Sequence, residues 1–331
     1  MEILVYSGLE RLGDGVMKLP FVRALRQAWP KARITWLAGK GETVFAHALQ
    51  PLVRHSLDEI IEAAGIGSGA GELLRRPLPG RRFDLVIDTQ RRVLTTLILR
   101  RIEAREFVSG AAGFLLSSRR PPLPYRKPPA MIDQLFDLIE IAHGARPRPD
   151  FALSLDEAWR AEAARLLPEG RTYIGIAPGA GGVHKRWPRE RFAALAASQH
   201  QAGRVAVFLL GPDEAAWRAE LQGLVPGARF PLQEAASGGD GGPSPLLTIA
   251  LARRLAAAVA NDSGTGHLIA AAGAPLVSLF GPTPAAKFAP CASRLEIVEA
   301  PRFGSRAMAA IPLAAVGEAL GRLLNESVTE G

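Results

Sequence analysis

Short apolar runs rich in β-branched residues alternate along this chain with longer segments whose apolar residues recur at helical spacing. Runs of the first kind form strands buried on both faces, and segments of the second kind form the helices that cover a parallel sheet. The predicted strands are 3–7, 34–38, 83–88 and 107–109 in the first half, and 173–177, 205–210, 257–261, 276–280 and 295–298 in the second. The pattern therefore predicts an α/β fold made of repeated βα units.

The clearest helix is predicted from about residue 15 to residue 28, where Val16, Leu19, Val22 and Leu25 share one face and Pro30 ends the helix. Further helices are expected at about 131–143, 189–202, 214–224, 246–255, 267–272 and 313–324. The last of these follows the final strand, and we expect it to pack back onto the first half of the chain.

With 331 residues the chain can bury two ordinary cores, whereas a single core of that size would be unusual. The segment 144–150, which contains Pro147 and Pro149, has the composition of a linker. We therefore predict domains at 1–150 and 151–331. No run approaches the roughly 18 apolar residues of a membrane-spanning helix, and the first residues lack the pattern of a secretory signal. A cytoplasmic protein is expected.

The net charge of +8 is uneven, because residues 1–150 hold 23 Lys and Arg against 16 Asp and Glu, whereas residues 151–331 hold 17 against 16. The excess is concentrated between Arg75 and Lys127, where arginines occur in pairs. Such a region is often only a solvated face, but it also suits a phosphorylated or carboxylated acceptor, an anionic membrane surface or, less well, nucleic acid. Nucleic acid is least favoured because no recognised binding motif accompanies the charge.

The first segment with candidate chemistry is Leu12-Gly13-Asp14-Gly15, between the first strand and the first helix. Aspartate is a favoured N-cap residue and needs no other role there. Alternatively, the amides of the helix start keep Asp14 ionised, so that it accepts a proton from an attacking hydroxyl. Both roles are compatible.

A second segment, Gly179-Ala180-Gly181-Gly182 followed by Lys185 and Arg186, comes after the first strand of the second domain. Glycines allow close approach of a ligand, and the two cations would suit a diphosphate. The spacing fits neither the nucleotide-triphosphate P-loop nor the dinucleotide fingerprint. Trp187 is expected to pack in the core rather than stack on a base.

A third segment, from Asn261 to Gly273, predicts a strand end, a turn of small residues and a helix start. The amides of that helix start and the hydroxyls of Ser263 and Thr265 form a natural phosphate site. Asp262 would repel a phosphate, so it either binds sugar hydroxyls or organises the turn. For His267, a structural role and a phosphate contact are both open.

A fourth segment, Gly211-Pro212-Asp213-Glu214, is another strand-to-helix turn. An acid at this position could bind the paired hydroxyls of a ribose, as acids after strands do in nucleotide-binding folds. Ordinary N-capping by Asp213 is the alternative.

These four segments, in this order, resemble the bacterial glycosyltransferases that include the ADP-heptose:lipopolysaccharide heptosyltransferases. The resemblance extends over nearly the whole chain. Its marks are Leu12-Gly13-Asp14 with Pro20, the Pro178-Gly179 loop reaching Lys185-Arg186-Trp187-Pro188 with Arg191-Phe192, the Gly211-Pro212-Asp213-Glu214 turn, and Asn261 to Leu268 with Phe280-Gly281-Pro282-Thr283. Gly15 and Gly264-Thr265-Gly266 depart from the family pattern, since many relatives carry an aliphatic residue and Gly-Pro-Met there.

The resemblance implies two Rossmann-like domains facing a cleft (GT-B type), with the acceptor in 1–150 and the nucleotide sugar in 151–331. It implies inverting transfer of heptose from ADP-heptose to an inner-core lipopolysaccharide acceptor, with no metal or other cofactor and with Asp14 as general base. The implied donor-binding residues are Lys185, Arg186, Asp213, Glu214, Asp262, Ser263, Gly264, Thr265, Gly266 and His267. Arg91, Arg92, Arg119 and Arg120 are the candidates for an anionic acceptor, with contact to the inner membrane surface.

Two other functions fit the same motifs. One is a nucleotide-sugar-binding protein without transferase activity, and the other is a transferase with a different donor sugar or acceptor. A dehydrogenase is disfavoured because the dinucleotide fingerprint is absent.

Overall fold

In the computed structural model of the chain, residues 1–67, 69–148, 153–235 and 244–329 are described. The chain divides into two compact units, Met1–Asp150 and Phe151–Gly331. Each unit contains a five-stranded sheet whose strands pair in parallel. The predicted α/β class is therefore confirmed. Pro149 and Asp150, at the end of the predicted linker, lie outside the described residues.

The sheet of the first unit has the strand order β3-β2-β1-β4-β5. Its elements are β1 (Glu2–Ser7), α1 (Leu12–Ala28), β2 (Arg33–Ala38), α2 (Gln50–Val53), β3 (Glu59–Ile61), β4 (Arg82–Asp88), α3 (Val93–Leu99), β5 (Glu103–Ser109) and α4 (Met131–His143). Single 3₁₀ turns occupy Ala70–Leu74 and Ala111–Phe114. The sequence pattern missed β3, because three half-buried residues at the edge of the sheet are too few to show an alternating pattern. It also placed the start of β5 four residues late.

Two helices of the first unit, α1 and α4, were predicted from the apolar spacing, whereas α3 was not. Helix α1 packs against α4. A separate core cluster gathers Leu4 and Tyr6 of β1 with Ile98 and Leu99 of α3. Because side chains two apart in a strand share one face, this cluster places α3 against the face of β1 that carries Leu4 and Tyr6.

The sheet of the second unit has the strand order β10-β9-β8-β6-β7. Its elements are α5 (Glu157–Leu166), β6 (Tyr173–Ala177), α6 (Arg189–Gln201), β7 (Val205–Phe208), α7 (Arg218–Leu224), α8 (Pro231–Glu234), α9 (Pro245–Ala252), β8 (Ala257–Asn261), α10 (Gly264–Ala271), β9 (Leu276–Phe280), α11 (Ala285–Phe288), β10 (Leu295–Glu299) and α12 (Leu313–Thr329). Its 3₁₀ turns are Val183–Lys185, Pro212–Trp217, Ala300–Phe303 and Met308–Ala310.

Two boundaries in the second unit differ from the sequence prediction in ways that affect the site. The segment predicted as one helix at 214–224 is a 3₁₀ turn followed by α7. Helix α10 begins at Gly264 rather than near His267. The C-terminal helix α12 packs on β8, β9 and β10 of its own unit, and its predicted packing on the first domain stays a prediction. Across the described parts of the chain, no helix is both long and apolar enough to cross a bilayer.

Candidate functional site

Four loops of the second unit leave the same edge of its sheet. The strands β9, β8, β6 and β7 are neighbours in that order and run in parallel, so their carboxyl ends lie side by side. The pairings Ala177 with Ala260 and Asn261 with Leu279 align the last residues of β6, β8 and β9. Ligands of open α/β sheets bind at this edge. The three segments that the sequence singled out in this unit, together with Gly281-Pro282-Thr283 after β9, therefore begin at the same edge of the sheet.

Asn261, the last residue of β8, fastens both ends of the glycine-rich loop after β6. Its side chain is fully buried; the Nδ2 atom donates to the carbonyl of Pro178 at 2.8 Å, and Oδ1 accepts from the amide of Trp187 at 3.1 Å. Trp187 is itself buried, with its Nε1 donating to the carbonyl of Ile311. The expected packing role of Trp187 is confirmed. The anchoring role of Asn261 was not predicted.

Lys185, Asp262 and Thr283 come from three different loops and meet at one carboxylate oxygen. Asp262 Oδ2 accepts from Lys185 Nζ at 2.9 Å and from Thr283 Oγ1 at 2.7 Å. An ammonium group carries three N–H donors, of which this contact engages one. The ion pair neutralises the charge of Asp262, so the carboxylate no longer opposes an incoming phosphate. Of the two roles left open for Asp262, the geometry is that of a residue which organises the turn.

Arg186 has different partners from Lys185, and it holds the loop after β6 to the loop after β7. Its guanidinium donates to the carbonyl of Ala180 at 3.1 Å and to Glu214 Oε1 at 3.1 Å, and it lies over the ring of Trp217. Burial of Glu214 raises the pKa of its carboxyl group, and the charge of Arg186 opposes that rise. A Cβ at Gly179 would lie 2.6 Å from the Glu214 carboxyl carbon, so a larger residue at that position would displace the Glu214 carboxylate.

Asp213 and Glu214 are neighbours in sequence but differ in environment. Glu214 is buried beneath the glycine-rich loop, whereas Asp213 is exposed. The N-capping interpretation of Asp213 is wrong, since Gly211 precedes the 3₁₀ turn and Asp213 is its second residue. Of the two acids, only Asp213 therefore offers its carboxylate to solvent.

The start of α10 has the geometry of an anion site. Ser263 is the N-cap, and its Oγ accepts from the amide of Gly266 at 3.2 Å. The first amides of an α-helix have no intrahelical acceptor, which leaves those of Gly264 and Thr265 for a ligand. A Cβ at Gly266 would lie 3.0 Å from the carbonyl oxygen of Asn261. His267 is buried within the first turn, and its amide donates to the Ser263 carbonyl.

In the first unit, Asp14 lies in the first turn of α1 and is half-exposed. The interpretation of Asp14 as the N-cap is wrong, because the helix begins at Leu12 and the N-cap is Arg11. Asp14 Oδ2 instead accepts from the backbone amide of Arg11 at 3.3 Å. A carboxylate in this position is stabilised by the helix dipole, and its second oxygen is available to another donor.

A buried polar network beside Asp14 was not predicted. The carboxylate of Glu10 is fully buried, and one of its oxygens accepts from Lys18 Nζ at 2.7 Å and Ser7 Oγ at 2.8 Å. The other accepts from Thr43 Oγ1 at 2.6 Å and Trp36 Nε1 at 3.2 Å. A buried charge is tolerated only when it is paired and hydrogen-bonded, as Glu10 is here. The network ties the β1–α1 loop to α1 and to the segment after β2.

Gly15, which departs from the family pattern, allows that segment to approach α1. A Cβ at residue 15 would lie 2.3 Å from Val44 Cγ2 and 3.2 Å from Leu49 Cδ1. Real Cβ atoms do not come so close, so an aliphatic residue here requires Val44 to shift. The glycine next to Asp14 is therefore explained by packing within the first unit.

We expect Gly15→Ala to lower the free energy of unfolding by about 1–2 kcal/mol. Alanine gains up to about 1 kcal/mol of helix propensity, but overpacking typically costs about 1–3 kcal/mol. A Val44→Ala background removes the 2.3 Å contact and leaves only the 3.2 Å contact with Leu49, so the same change should cost much less stability there. Urea denaturation of the wild type, the two single variants and the double variant measures the coupling energy between positions 15 and 44. Equal destabilisation in both backgrounds would show that the close approach has no energetic consequence.

Asp88, the last residue of β4, is buried beside a small cavity of about 30 Å³ lined by Gln90, Gly110 and Gln134 among others. Its carboxylate accepts from Thr96 Oγ1 at 2.6 Å, Ser109 Oγ at 2.8 Å and the Gln90 amide at 2.8 Å. Burial raises its pKa from 3.8 to about 6, although these hydrogen bonds favour the ionised form.

The raised pKa of Asp88 makes stability depend on pH. The folded protein holds this proton more tightly than the unfolded chain, so the contribution of Asp88 is fully present below pH 3.8 and is lost as the pH rises through about 6. This difference in pKa corresponds to roughly 3 kcal/mol. In Asp88→Asn the neutral amide can keep the same partners, and that loss should disappear. Denaturant unfolding of both proteins across this range tests the expectation; parallel pH profiles would contradict it.

The four candidate acceptor arginines are not brought into one cluster. Arg91 follows β4 and donates to Gln134 Oε1 at 3.2 Å, and Arg92 is exposed at the start of α3. Arg119 pairs with Glu106 at 2.6 Å and donates to the carbonyl of Ala142 at the end of α4. It lines a depression of about 460 Å³ together with Met1 and Asp84, towards the amino ends of the strands. Arg120 is exposed and donates to the carbonyl of Leu115.

Among the residues that the structure describes, no group of three or more His, Cys, Asp and Glu side chains could hold a metal ion. The expectation that the reaction requires no metal stays a prediction, and the roles given to individual residues are taken up below as proposals.

The sequence of residues 73–308 matches the model of glycosyltransferase family 9 (heptosyltransferase). The match covers more than half of the chain, so the protein belongs to this family. Its assignment as a glycosyltransferase, predicted from the order of the four segments, is confirmed.

The chain is 32% identical over 133 residues to lipopolysaccharide heptosyltransferase 2 of Salmonella typhimurium, and this alignment covers 35% of the chain and 33% of that protein. The match thus spans about a third of the relative. In structure it is similar to a family 9 glycosyltransferase of Veillonella parvula, with a TM-score of 0.73, 22% identity and coverage of 98% and 97%. It is also similar to Escherichia coli ADP-heptose lipopolysaccharide heptosyltransferase II, with a TM-score of 0.70, 21% identity and coverage of 99% and 100%. The predicted GT-B type of fold is confirmed.

Proposed function

We propose that this protein is an inverting glycosyltransferase that transfers heptose from ADP-heptose to an inner-core lipopolysaccharide acceptor. The observation that carries the proposal is the meeting of Lys185, Asp262 and Thr283 beside the start of α10, in a member of the heptosyltransferase family. The donor is suggested by the E. coli enzyme to which the fold is similar, which is named for ADP-heptose.

In this proposal the diphosphate of the donor lies at the start of α10. The amides of Gly264 and Thr265, the hydroxyls of Ser263 and Thr265 and the remaining N–H donors of Lys185 would contact its oxygens. Gly266 gives the helix start its close packing, and His267 supports the turn from within. These groups stabilise the leaving group as its negative charge grows, which is the task that a metal ion performs elsewhere. We propose that no metal or other cofactor is required.

The two acids after β7 take different roles. The exposed carboxylate of Asp213 is the candidate for the ribose hydroxyls of the adenosine. Glu214 and Arg186 contribute to donor binding by holding the glycine-rich loop in place, since their ion pair joins the two loops. This division follows from burial, because a carboxylate already bonded beneath a loop is poorly placed to meet a nucleoside.

Asp14 is the proposed general base. It would accept the proton of the attacking hydroxyl while the acceptor oxygen bonds to the anomeric carbon of the heptose and the bond from that carbon to the diphosphate oxygen breaks. The bonding electrons leave with ADP. Attack from the face opposite the leaving group inverts the anomeric configuration.

The acceptor would be bound by domain 1–150, and its phosphates suit the excess positive charge of that domain. Arg91 follows β4, Arg92 directly precedes α3, and Arg119 and Arg120 belong to the loop after β5. We propose a cytoplasmic location at the inner face of the membrane, where a lipid-linked acceptor is accessible.

A donor screen by thermal unfolding tests the proposal. A ligand that binds the folded protein stabilises it by about 2.7 kcal/mol at 100-fold its Kd, so at one fixed concentration the tightest ligand gives the largest rise in Tm. ADP should raise Tm more than UDP or GDP. A larger shift with UDP or GDP would assign a different donor, and no shift with any of the three would contradict a nucleotide-sugar site.

A further inference from the structure

The outer face of α3 is apolar. Val93 is 48% exposed, Leu94 37% and Leu97 40%, whereas Ile98 and Leu99 on the inner side are fully buried in the core. A helix that covers a sheet normally carries polar residues on its solvent side. Three exposed aliphatic residues at the spacing of one helix face therefore indicate a surface that meets something other than water.

Two further exposed leucines belong to the segments that pack against α3. The 3₁₀ turns Ala70–Leu74 and Ala111–Phe114 both pack against α3. Leu74 ends the first turn and is 87% exposed, and Leu115 follows the second and is 64% exposed. We call the exposed side chains of Leu74, Val93, Leu94, Leu97 and Leu115 the α3 surface.

Arginines lie next to the α3 surface, since Arg120 donates to the carbonyl of Leu115 and Arg100 to that of Leu116. Residues 89–102 and 107–132 contain eight arginines and lysines and no aspartate or glutamate: Arg91, Arg92, Arg100, Arg101, Arg119, Arg120, Arg126 and Lys127. The carboxylates between these segments are paired, Glu103 with Arg76 and Arg82 and Glu106 with Arg119. Arg92 and Arg101, at the two ends of α3, are exposed.

We propose that the α3 surface docks on the anionic face of a lipid bilayer. Exposed aliphatic side chains enter the boundary between headgroups and acyl chains, and a rim of arginines pairs with anionic headgroups. Nucleic acid would pair with the arginines but would leave the aliphatic side chains in water. A symmetric dimer through the same surface would set one basic rim against another, which is unfavourable. The proposal rests on the membrane location given in the proposed function, but vesicle binding without donor and acceptor tests it separately from the transfer reaction.

The test is co-sedimentation of the full chain with vesicles of equal parts phosphatidylglycerol and phosphatidylcholine, and with vesicles of phosphatidylcholine alone. The wild type should bind the anionic vesicles and bind the neutral ones much less. Leu94→Glu/Leu97→Glu and Arg101→Glu should each weaken binding by about tenfold or more, since each places negative charge against an anionic surface. Leu224→Glu, at an exposed leucine of α7 in the other unit, is the matched control and should bind as the wild type does.

The substituted side chains are exposed, so each variant should fold. Thermal unfolding of each variant checks this. Wild-type affinity in folded Leu94→Glu/Leu97→Glu, equal binding to both vesicle types, or no binding to anionic vesicles would each overturn the proposal. A wild-type dimer in sedimentation velocity that Leu94→Glu/Leu97→Glu abolishes, without vesicle binding, would assign the α3 surface to a second copy of the chain instead.

Discussion

Replacing Asp14 with asparagine should lower kcat for heptose transfer by roughly two to four orders of magnitude, which is the usual contribution of a positioned general base. Asparagine keeps an oxygen that can accept from the Arg11 amide, so the start of α1 is preserved while the proton acceptor is lost. ADP affinity should stay within about twofold of the wild type, because the groups proposed to bind the diphosphate all belong to the second unit. Steady-state kinetics and calorimetric titration with ADP measure the two quantities.

Asp133 provides the matched control for this experiment. It lies at the third position of α4, as Asp14 does in α1. Asp133→Asn therefore changes the same side chain at an equivalent helix position, and it should keep wild-type turnover. If Asp14→Asn retains turnover, or if both variants lose it equally, Asp14 is not the base.

Replacing Lys185 with methionine should weaken ADP binding by about 10- to 100-fold, since a hydrogen bond to a charged group contributes about 1.5–3 kcal/mol. It should lower kcat further, to about a hundredth or less, because the diphosphate gains charge as it leaves. Part of the lost ADP affinity comes from electrostatic repulsion by Asp262. Without Lys185 the carboxylate of Asp262 is no longer neutralised and opposes the phosphate.

The double variant Lys185→Met/Asp262→Asn separates these two effects. Removing both charges should recover part of the ADP affinity that Lys185→Met loses. Lys31→Met, at an exposed lysine of the first unit, controls for the loss of one positive charge and should bind ADP normally. ADP affinity unchanged in Lys185→Met would remove this lysine from the donor site, and a double variant weaker than the single would refute the repulsion by Asp262.

The α/β architecture could be predicted because buried strands and covering helices have different apolar periods, and both periods are regular over most of the chain. The three-residue strand β3 could not be predicted, since it has too few residues to show the alternation of apolar and polar positions. The place of Asp14 within α1 was also missed. Aspartate is favoured at both the N-cap and the first turn, so its presence alone does not locate the helix start.

In the candidate site, the sequence indicated the loops but not the pairings between them. Lys185 and Arg186 are adjacent and chemically similar, yet one contacts Asp262 and the other Glu214. Glu10 joins Lys18 and Thr43 through contacts that span 8 and 33 residues. Local propensity cannot encode such contacts, because they depend on which strand ends and loops the completed sheet brings together.

The proposed function is transfer from an ADP-linked heptose to an acidic lipopolysaccharide-core acceptor. It is tested most directly by measuring ADP release from ADP-heptose with purified protein, with and without the heptose-deficient core acceptor, followed by analysis of the product. We expect ADP release only when the acceptor is present and, with it, one heptose added to the acceptor in the inverted anomeric configuration. ADP-heptose binding without product under these conditions would contradict it.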